Sequence, residues 1–132
     1  MILHQLTYCE FEGKSNAWQL EPVRFELLNL LVGKNASGKT RTINVINGLA
    51  GLVSGSSRLT FQSGHYSVLF KDGDTRYEYC LHFEDAKVLL EEFKKDNRIL
   101  LRRKSGGIGT IFAEKLAQDV EFQTPDSELA CV

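Results

Sequence analysis

The stretch NLLVGKNASGKT, residues 29–40, decides which fold the sequence predicts. It joins the end of an apolar run to a segment that satisfies the pattern G-x-x-x-x-G-K-[ST] at every fixed position. The apolar run, Val23 to Val32, favours a strand buried on both faces, and the apolar spacing from Thr40 to Val53 favours an amphipathic helix. Strand, glycine-rich loop and helix in this order predict an α/β fold, with helices packed on a sheet.

The glycine-rich segment has the composition of a phosphate-binding loop, or P-loop. Its glycines permit close backbone approaches that a Cβ would block, so amide N–H groups can converge on phosphate oxygens. Its lysine reaches the β- and γ-phosphates of a nucleotide, and its threonine hydroxyl binds Mg²⁺. We therefore predict ATP and Mg²⁺ as cofactors, with Thr40 as the Mg²⁺ ligand and the nucleotide held by Gly33, Lys34, Asn35, Ala36, Ser37, Gly38, Lys39 and Thr40. The competing interpretation is a strand-to-helix turn whose Lys39 and Thr40 only face solvent.

Beyond residue 57 the sequence favours short strands separated by turn residues, which indicates an antiparallel meander. Ile2 to Phe11 is expected to form an edge strand at the start of the chain. After the meander, a glycine-rich turn at 105–109 is expected to lead into a short helix, Ile111 to Gln118, and a strand around Val120 to Phe122. The meander strands are predicted at 67–70, 77–83, 87–93 and 99–103, with turns at 71–74 and 95–97.

Residues 29–40, with Asn44 and Ile46 in the following helix, resemble the head domains of ABC-type ATPases. The closest subgroup is the SMC, RecF and OLD-nuclease-like set of bacterial AAA-family ATPases. Their loop usually reads G-x-N-G-x-G-K-S/T, so Asn35 matches, while Ala36 and Thr40 are permitted variants. The resemblance covers essentially the whole chain, but only the P-loop is specific.

This resemblance implies the N-terminal lobe of an ATPase head, as one incomplete domain over residues 1–132. Its parts are a strand, P-loop and helix core (1–57), an antiparallel β subdomain (58–104), and a turn, short helix and strand (105–132) leading to a C-terminal half. That half carries the Walker B acids, an LSGGQ-like signature and a switch histidine in such heads. Homodimerisation or pairing with a C-terminal half is therefore expected, with hydrolysis by this chain alone slow or absent.

The resemblance also suggests further site residues. Gln123 follows the last predicted strand, where the family's Q-loop glutamine contacts Mg²⁺, and Gln62 is a weaker candidate. Ser105 to Gly107 imitates the signature, and Tyr79 to Asp85 imitates a Walker B strand. Because both segments lie among predicted hairpins, we interpret them as turns and solvated strand ends. Trp18 is a candidate for packing near the base or ribose.

The charge balance gives no general attraction to nucleic acid or membrane, since 16 Lys and Arg oppose 17 Asp and Glu. A local basic cluster could contact nucleic-acid phosphates, although acidic residues are interleaved with it; its members are Lys94, Lys95, Arg98, Arg102, Arg103 and Lys104. Three distant cysteines, Cys9, Cys80 and Cys131, favour a reduced cytoplasmic protein. The histidines, His4, His65 and His82, lack ligand-like spacing and are interpreted as structural. No targeting segment or apolar run of membrane-spanning length is evident.

Two other functions stay open at this stage. A degenerate or split P-loop protein could act as a scaffold through partner association without catalysis. A P-loop kinase would transfer a phosphoryl group to a small acceptor, but the predicted meander argues against its repeated βαβ units. A GTPase is disfavoured because the sequence has neither an N-K-x-D nor a D-x-x-G motif.

Overall fold

A computed structural model of the chain describes residues 1–59 and 62–132. In the described residues, eight strands form one sheet in the order β2-β1-β3-β4-β5-β6-β7-β8, and each neighbouring pair is antiparallel. The elements are β1 (Ile2–Glu10), β2 (Trp18–Arg24), α1 (Lys39–Val53), β3 (Ser63–Asp72), β4 (Thr75–Glu84), β5 (Lys87–Lys95), β6 (Arg98–Lys104), β7 (Ile108–Ala113) and β8 (Gln118–Gln123).

The predicted α/β fold class, with a buried central strand, is therefore wrong. An α/β domain needs parallel strands connected through helices, whereas this sheet is antiparallel and carries one helix in the described part of the chain. The predicted central strand over 23–32 also fails, because β2 ends at Arg24. Residues 27–32 lie outside the sheet, and an apolar run becomes a buried strand only where neighbouring strands supply hydrogen-bond partners.

The predicted meander and the predicted helix after the glycine-rich loop are confirmed. Strands β3 to β6 contain all four strands predicted between residues 67 and 103, and α1 ends at Val53 as its apolar spacing indicated. The hairpin turns use residues that tolerate positive φ, including Gly73 at 58° and Asn97 at 68°. Local turn chemistry is sufficient to position these hairpins.

Two predictions at the ends of the chain need correction. Residues 111–118 do not form a helix: β7 and β8 pair as a hairpin around a turn at 114–117, and Ala117 has a φ of 50°. Pairing of β7 with β6 outweighs the helix propensity of this segment. The first strand is also not at the sheet edge, because β1 pairs with β2 on one side and β3 on the other.

The hydrophobic core lies between α1 and one face of the sheet. The helix contributes Val45, Leu49 and Leu52, whose three- and four-residue spacing forms a single buried stripe. The facing strand residues are buried and mostly apolar or aromatic: Leu6, Tyr8, Tyr66, Val68, Tyr79, Leu81, Phe83 and Val88. The alternate residues of the same strands point to the opposite face, which carries histidine, cysteine and charged side chains.

Candidate phosphate-binding site

The glycine-rich loop, residues 33–38, forms a compact turn directly before α1. The amide of Ser37 donates to the carbonyl of Lys34 at 3.2 Å, and Ala36 and Gly38 have positive φ values of 62° and 91°. A Cβ on Gly33 would stand 2.6 Å from Ser37 Oγ, a contact that rotation of the serine side chain can relieve. The glycine pattern seen in the sequence thus corresponds to a backbone requirement at Gly38, whose φ of 91° favours glycine.

The ammonium group of Lys39 lies inside this loop. Its Nζ donates to the carbonyls of Gly33 at 2.5 Å and Lys34 at 2.7 Å, and it is 3.4 Å from Ser37 Oγ. These contacts hold the beginning of the loop against the first residue of the helix. They place a positive charge beside the same backbone segment whose amides were predicted to meet a phosphate.

The N-terminus of α1 has no capping side chain. Gly38 occupies the cap position without a side-chain hydrogen bond, and the first turn contains no acidic residue. The carbonyl of Gly38 accepts from the amide of Thr42 at 2.9 Å and its hydroxyl at 3.0 Å. The first-turn amides, which no side chain caps, and the positive end of the helix dipole therefore favour an anion at this position.

An open cleft of about 530 Å³ lies over the loop and the first turn of α1, lined by Trp18 and residues 35–41. This volume falls within the roughly 300–1,000 Å³ of small-ligand sites. The guanidinium of Arg41 is 4.1 Å from the centre of the Trp18 ring and forms an ion pair with Glu10. The lining carries two cationic side chains, Lys39 and Arg41, and no carboxylate.

The residues at the cleft fit a nucleotide polyphosphate with Mg²⁺. Backbone donors and the Lys39 ammonium suit phosphate oxygens, and the exposed Thr40 supplies a hydroxyl beside them, an oxygen ligand of the kind that Mg²⁺ prefers. The face of Trp18 suggested for the base or ribose is covered on one side by Arg41. The sequence pattern alone did not reveal this stacking or the ion pair of Arg41 with Glu10.

Gln123 is not brought to this cleft. It is an exposed residue at the end of β8, which forms the sheet edge opposite β2, and it is absent from the cleft lining. The rival Gln62 is exposed, and its carbonyl accepts from the amide of Asp85. The Q-loop role of either residue stays a prediction.

The two segments that resemble the signature and the Walker B strand lie within hairpins. Ser105 to Gly107 connects β6 to β7, where the Gly106 amide donates to the Asp126 carboxylate at 3.0 and 3.1 Å. Tyr79 to Glu84 belongs to β4, between β3 and β5, and Asp85 follows in a turn with a φ of 48°. Neither segment lines the cleft.

The basic cluster is divided between the two faces of the sheet. Arg103 is buried, and its Nε donates to the buried Glu91 at 3.1 Å. Arg102 and Lys94 both pair with Glu92, at 3.2 and 2.7 Å. Three of the six cations are therefore paired with two carboxylates, and one of the three is buried, which leaves fewer free cations for nucleic-acid phosphates.

Arg103 and Glu91 also attach the C-terminal segment to the sheet. Arg103 donates to the carbonyls of Thr124 at 3.0 Å, Pro125 at 3.2 Å and Glu128. Glu91 accepts from the amides of Ala130 at 2.8 Å and Cys131 at 3.0 Å and from the Tyr79 hydroxyl at 3.1 Å. The sequence carried a signal for this burial, since Glu91 and Arg103 each lie two residues from an apolar residue, Phe93 and Leu101, and residues two apart share a face of a strand.

No helix in residues 1–59 and 62–132 combines the length and the apolar character needed to cross a membrane. Comparisons with protein-family models, curated proteins and solved structures found no match to the chain.

Proposed function

We propose that this chain binds ATP with Mg²⁺ through residues 33–40 and serves as the nucleotide-binding lobe of an ABC-type ATPase of the SMC, RecF and OLD-like kind. The observation that carries the proposal is the position of Lys39: its ammonium lies within the glycine loop, next to the uncapped helix N-terminus. A cation and a set of uncapped backbone amides at one point favour a polyphosphate over a neutral ligand.

Different residues of the loop would contact the phosphates and the Mg²⁺ ion. The amides near Gly38 and the ammonium of Lys39 would hold phosphate oxygens, exchanging the present Lys39 contacts to the Gly33 and Lys34 carbonyls for charge-assisted ones. Thr40 would contribute its hydroxyl to Mg²⁺, which neutralises charge on the bound phosphates. The proposal rests on local geometry and not on the fold class, because the binding groups belong to one short loop and one helix end.

Hydrolysis requires groups from outside this site. The residues lining the cleft include no carboxylate, so none of them offers a negatively charged oxygen to the metal or a carboxylate base to an attacking water. A second lobe with Walker B acids and a signature segment would provide those groups. The lobe described here would then bind ATP and turn it over only within such an assembly.

The segment preceding the P-loop supports a partner lobe. Five apolar side chains between Leu27 and Val32 are exposed, by 87% for Leu27, 91% for Leu28, 87% for Leu30, 47% for Leu31 and 75% for Val32. Burying each such side chain stabilises a complex by about 1.5–3 kcal/mol. Because the segment leads directly into Gly33, a lobe that covers it would also lie beside the nucleotide.

Calorimetry of Mg²⁺-ATP binding tests the proposal. Lys39→Ala should abolish detectable binding, because it removes the cation at the loop, whereas Lys115→Ala is a matched control with an exposed lysine outside the cleft. Thr40→Ala should weaken binding in Mg²⁺ more than binding in EDTA. Absence of binding by folded wild-type chain, or equal binding by the Lys39 and Lys115 variants, would contradict nucleotide binding at this loop.

A non-catalytic module that acts through partner association is the second candidate function. The exposed segment from Leu27 to Val32 favours it independently of the P-loop, since such a patch is typical of a covered surface. A folded chain that does not bind ATP but forms a complex through this segment would support this function. Turnover restored by adding a C-terminal lobe would support the ATPase.

A further inference from the structure

The polar face of the sheet, opposite α1, carries a cluster of metal-binding side chains. His65 on β3 and His82 on β4 are directly paired residues, so their side chains point to the same face. Their rings stack with centres 4.8 Å apart and planes inclined by 16°. Glu12, in the turn after β1, places a carboxylate oxygen 3.2 Å from Nδ1 of His65.

These three side chains can present their donor atoms to one ion. One nitrogen of each histidine and one oxygen of Glu12 lie within 4.8 Å of one another. Ligand bonds of about 2.0–2.1 Å around a tetrahedral Zn²⁺ require donor separations of roughly 3.3 Å. The widest separation must therefore shorten by up to roughly 1.5 Å, which rotation of the Glu12 side chain and of the two stacked imidazole rings would supply.

The cluster is accessible to an ion from solvent. The side chains of His65 and His82 are 34% and 26% exposed, and that of Glu12 is 61% exposed. None of the three lines the P-loop cleft, and α1 covers the other face of the sheet. The cluster is thus separate from the nucleotide site.

The chemistry of the donors selects the class of ion. Two imidazole nitrogens and one carboxylate oxygen suit borderline transition metals such as Zn²⁺, whereas Mg²⁺ and Ca²⁺ prefer sites made only of oxygen. Cys80 is not one of these donors, since its Sγ lies 3.6 Å from Nε2 of His65, whereas Glu12 faces Nδ1 of the same ring. Three protein ligands would leave a fourth position for water.

We propose that Glu12, His65 and His82 form a binding site for one divalent transition-metal ion of the Zn²⁺ class. The ion would link the turn after β1 to the β3–β4 hairpin. Such a link adds stability that rises with the logarithm of the free ion concentration above the dissociation constant, because the unfolded chain does not hold the three donors together.

The test is calorimetric titration of ZnCl₂ into the nucleotide-free, chelator-treated full chain, with MgCl₂ as the comparison ion. We expect one Zn²⁺ per chain, no heat from Mg²⁺ at this site, and a higher thermal midpoint with Zn²⁺. His65→Ala and His82→Ala should each lower Zn²⁺ affinity at least about tenfold, because a direct ligand is lost. His4→Ala is the matched control, since His4 is the one histidine outside the cluster.

Glu12→Gln keeps the test decisive if a histidine variant fails to fold, because the Glu12 side chain is exposed in a turn. It should fold as the wild type does and lose at least about tenfold in Zn²⁺ affinity. Visible absorption of the Co²⁺-loaded chain reports the coordination geometry, and Cys80→Ser shows whether sulfur is a ligand. Folded wild type that fails to bind Zn²⁺, or Zn²⁺ affinity unchanged in the Glu12, His65 and His82 variants, would overturn the proposal.

Discussion

Replacing Arg103 with methionine should detach the C-terminal segment from the sheet. It should lower the free energy of unfolding more than replacing an exposed charged residue does. Methionine retains an unbranched stem but none of the donors that reach Glu91 and the carbonyls of Thr124, Pro125 and Glu128. The substitution leaves the Glu91 carboxylate buried without its cation, because both side chains have no exposed surface. Removing one partner of a buried ion pair costs about 3–5 kcal/mol.

This cost is large relative to the whole stability of a domain, which is about 5–15 kcal/mol. An unfolding entropy of about 2.1 cal/mol/K per residue implies about 0.28 kcal/mol/K for this chain length. The thermal midpoint should then fall by about 11–18 °C. Circular dichroism melting and urea unfolding measure the change, and limited proteolysis should show earlier cleavage after residue 123.

Arg102→Met is the matched control, since Arg102 is the neighbouring arginine and pairs with Glu92 while its side chain stays 49% exposed. An exposed pair contributes about 1 kcal/mol or less, so its midpoint should move by less than about 4 °C. The double variant Arg103→Met/Glu91→Leu should be destabilised by less than the sum of its single variants, because no buried charge remains. Equal midpoints for Arg103→Met and Arg102→Met would refute the attachment argument.

The remaining predictions concern the loop, the sheet and the titration of the core. Ala36→Gly should stabilise the fold by up to about 1 kcal/mol in urea unfolding, since Ala36 holds a φ of 62°; a loss of stability would contradict strain there. Gly109→Ala should cost about 1–3 kcal/mol, because the new Cβ would stand 2.8 Å from the Arg102 carbonyl oxygen, and an unchanged melting curve would refute this. Leu28→Gln should leave stability within about 0.5 kcal/mol but reduce self-association in light scattering, since Leu28 is 91% exposed. Burial raises the pKa of Tyr66 to about 12, so the folded chain keeps a proton that the unfolded chain releases near pH 10, and stability should fall as pH rises through this range; Tyr66→Phe should lessen that slope.

Hairpins were predictable because their determinants are close together in the chain. The turn residues at 71–74 mark the β3–β4 connection, and the strand patterns on each side indicate antiparallel pairing. The same information could have revealed the metal-binding cluster: His65 lies seven residues before Asp72, and His82 lies seven residues after Thr75, its partner. The spacing of His65 and His82 along the sequence did not indicate a shared site, because the register of the hairpin and not sequence proximity brings these side chains together.

The wrong predictions concern segments whose structure depends on pairing with strands far away in the sequence. Residues 23–32 have the composition of a buried strand, but composition cannot supply the neighbouring strands that burial requires. Residues 111–118 have helix-forming composition, but β6 offers an edge with unpaired backbone groups, and pairing satisfies them. Both predictions came from the pattern of the segment itself, which carries no information about its long-range partners.

The sequence by itself determined the loop at 33–40, the helix that follows it and the hairpins from β3 to β6. These features depend on backbone freedom, side-chain periodicity and turn chemistry within a few residues of one another. Only the tertiary structure decided that Glu91 and Arg103 are buried, that Gln123 lies on the edge strand opposite β2, and that His65 meets Glu12. Those outcomes depend on which strands pair and which face the helix covers, and both are set by contacts between residues far apart in the chain.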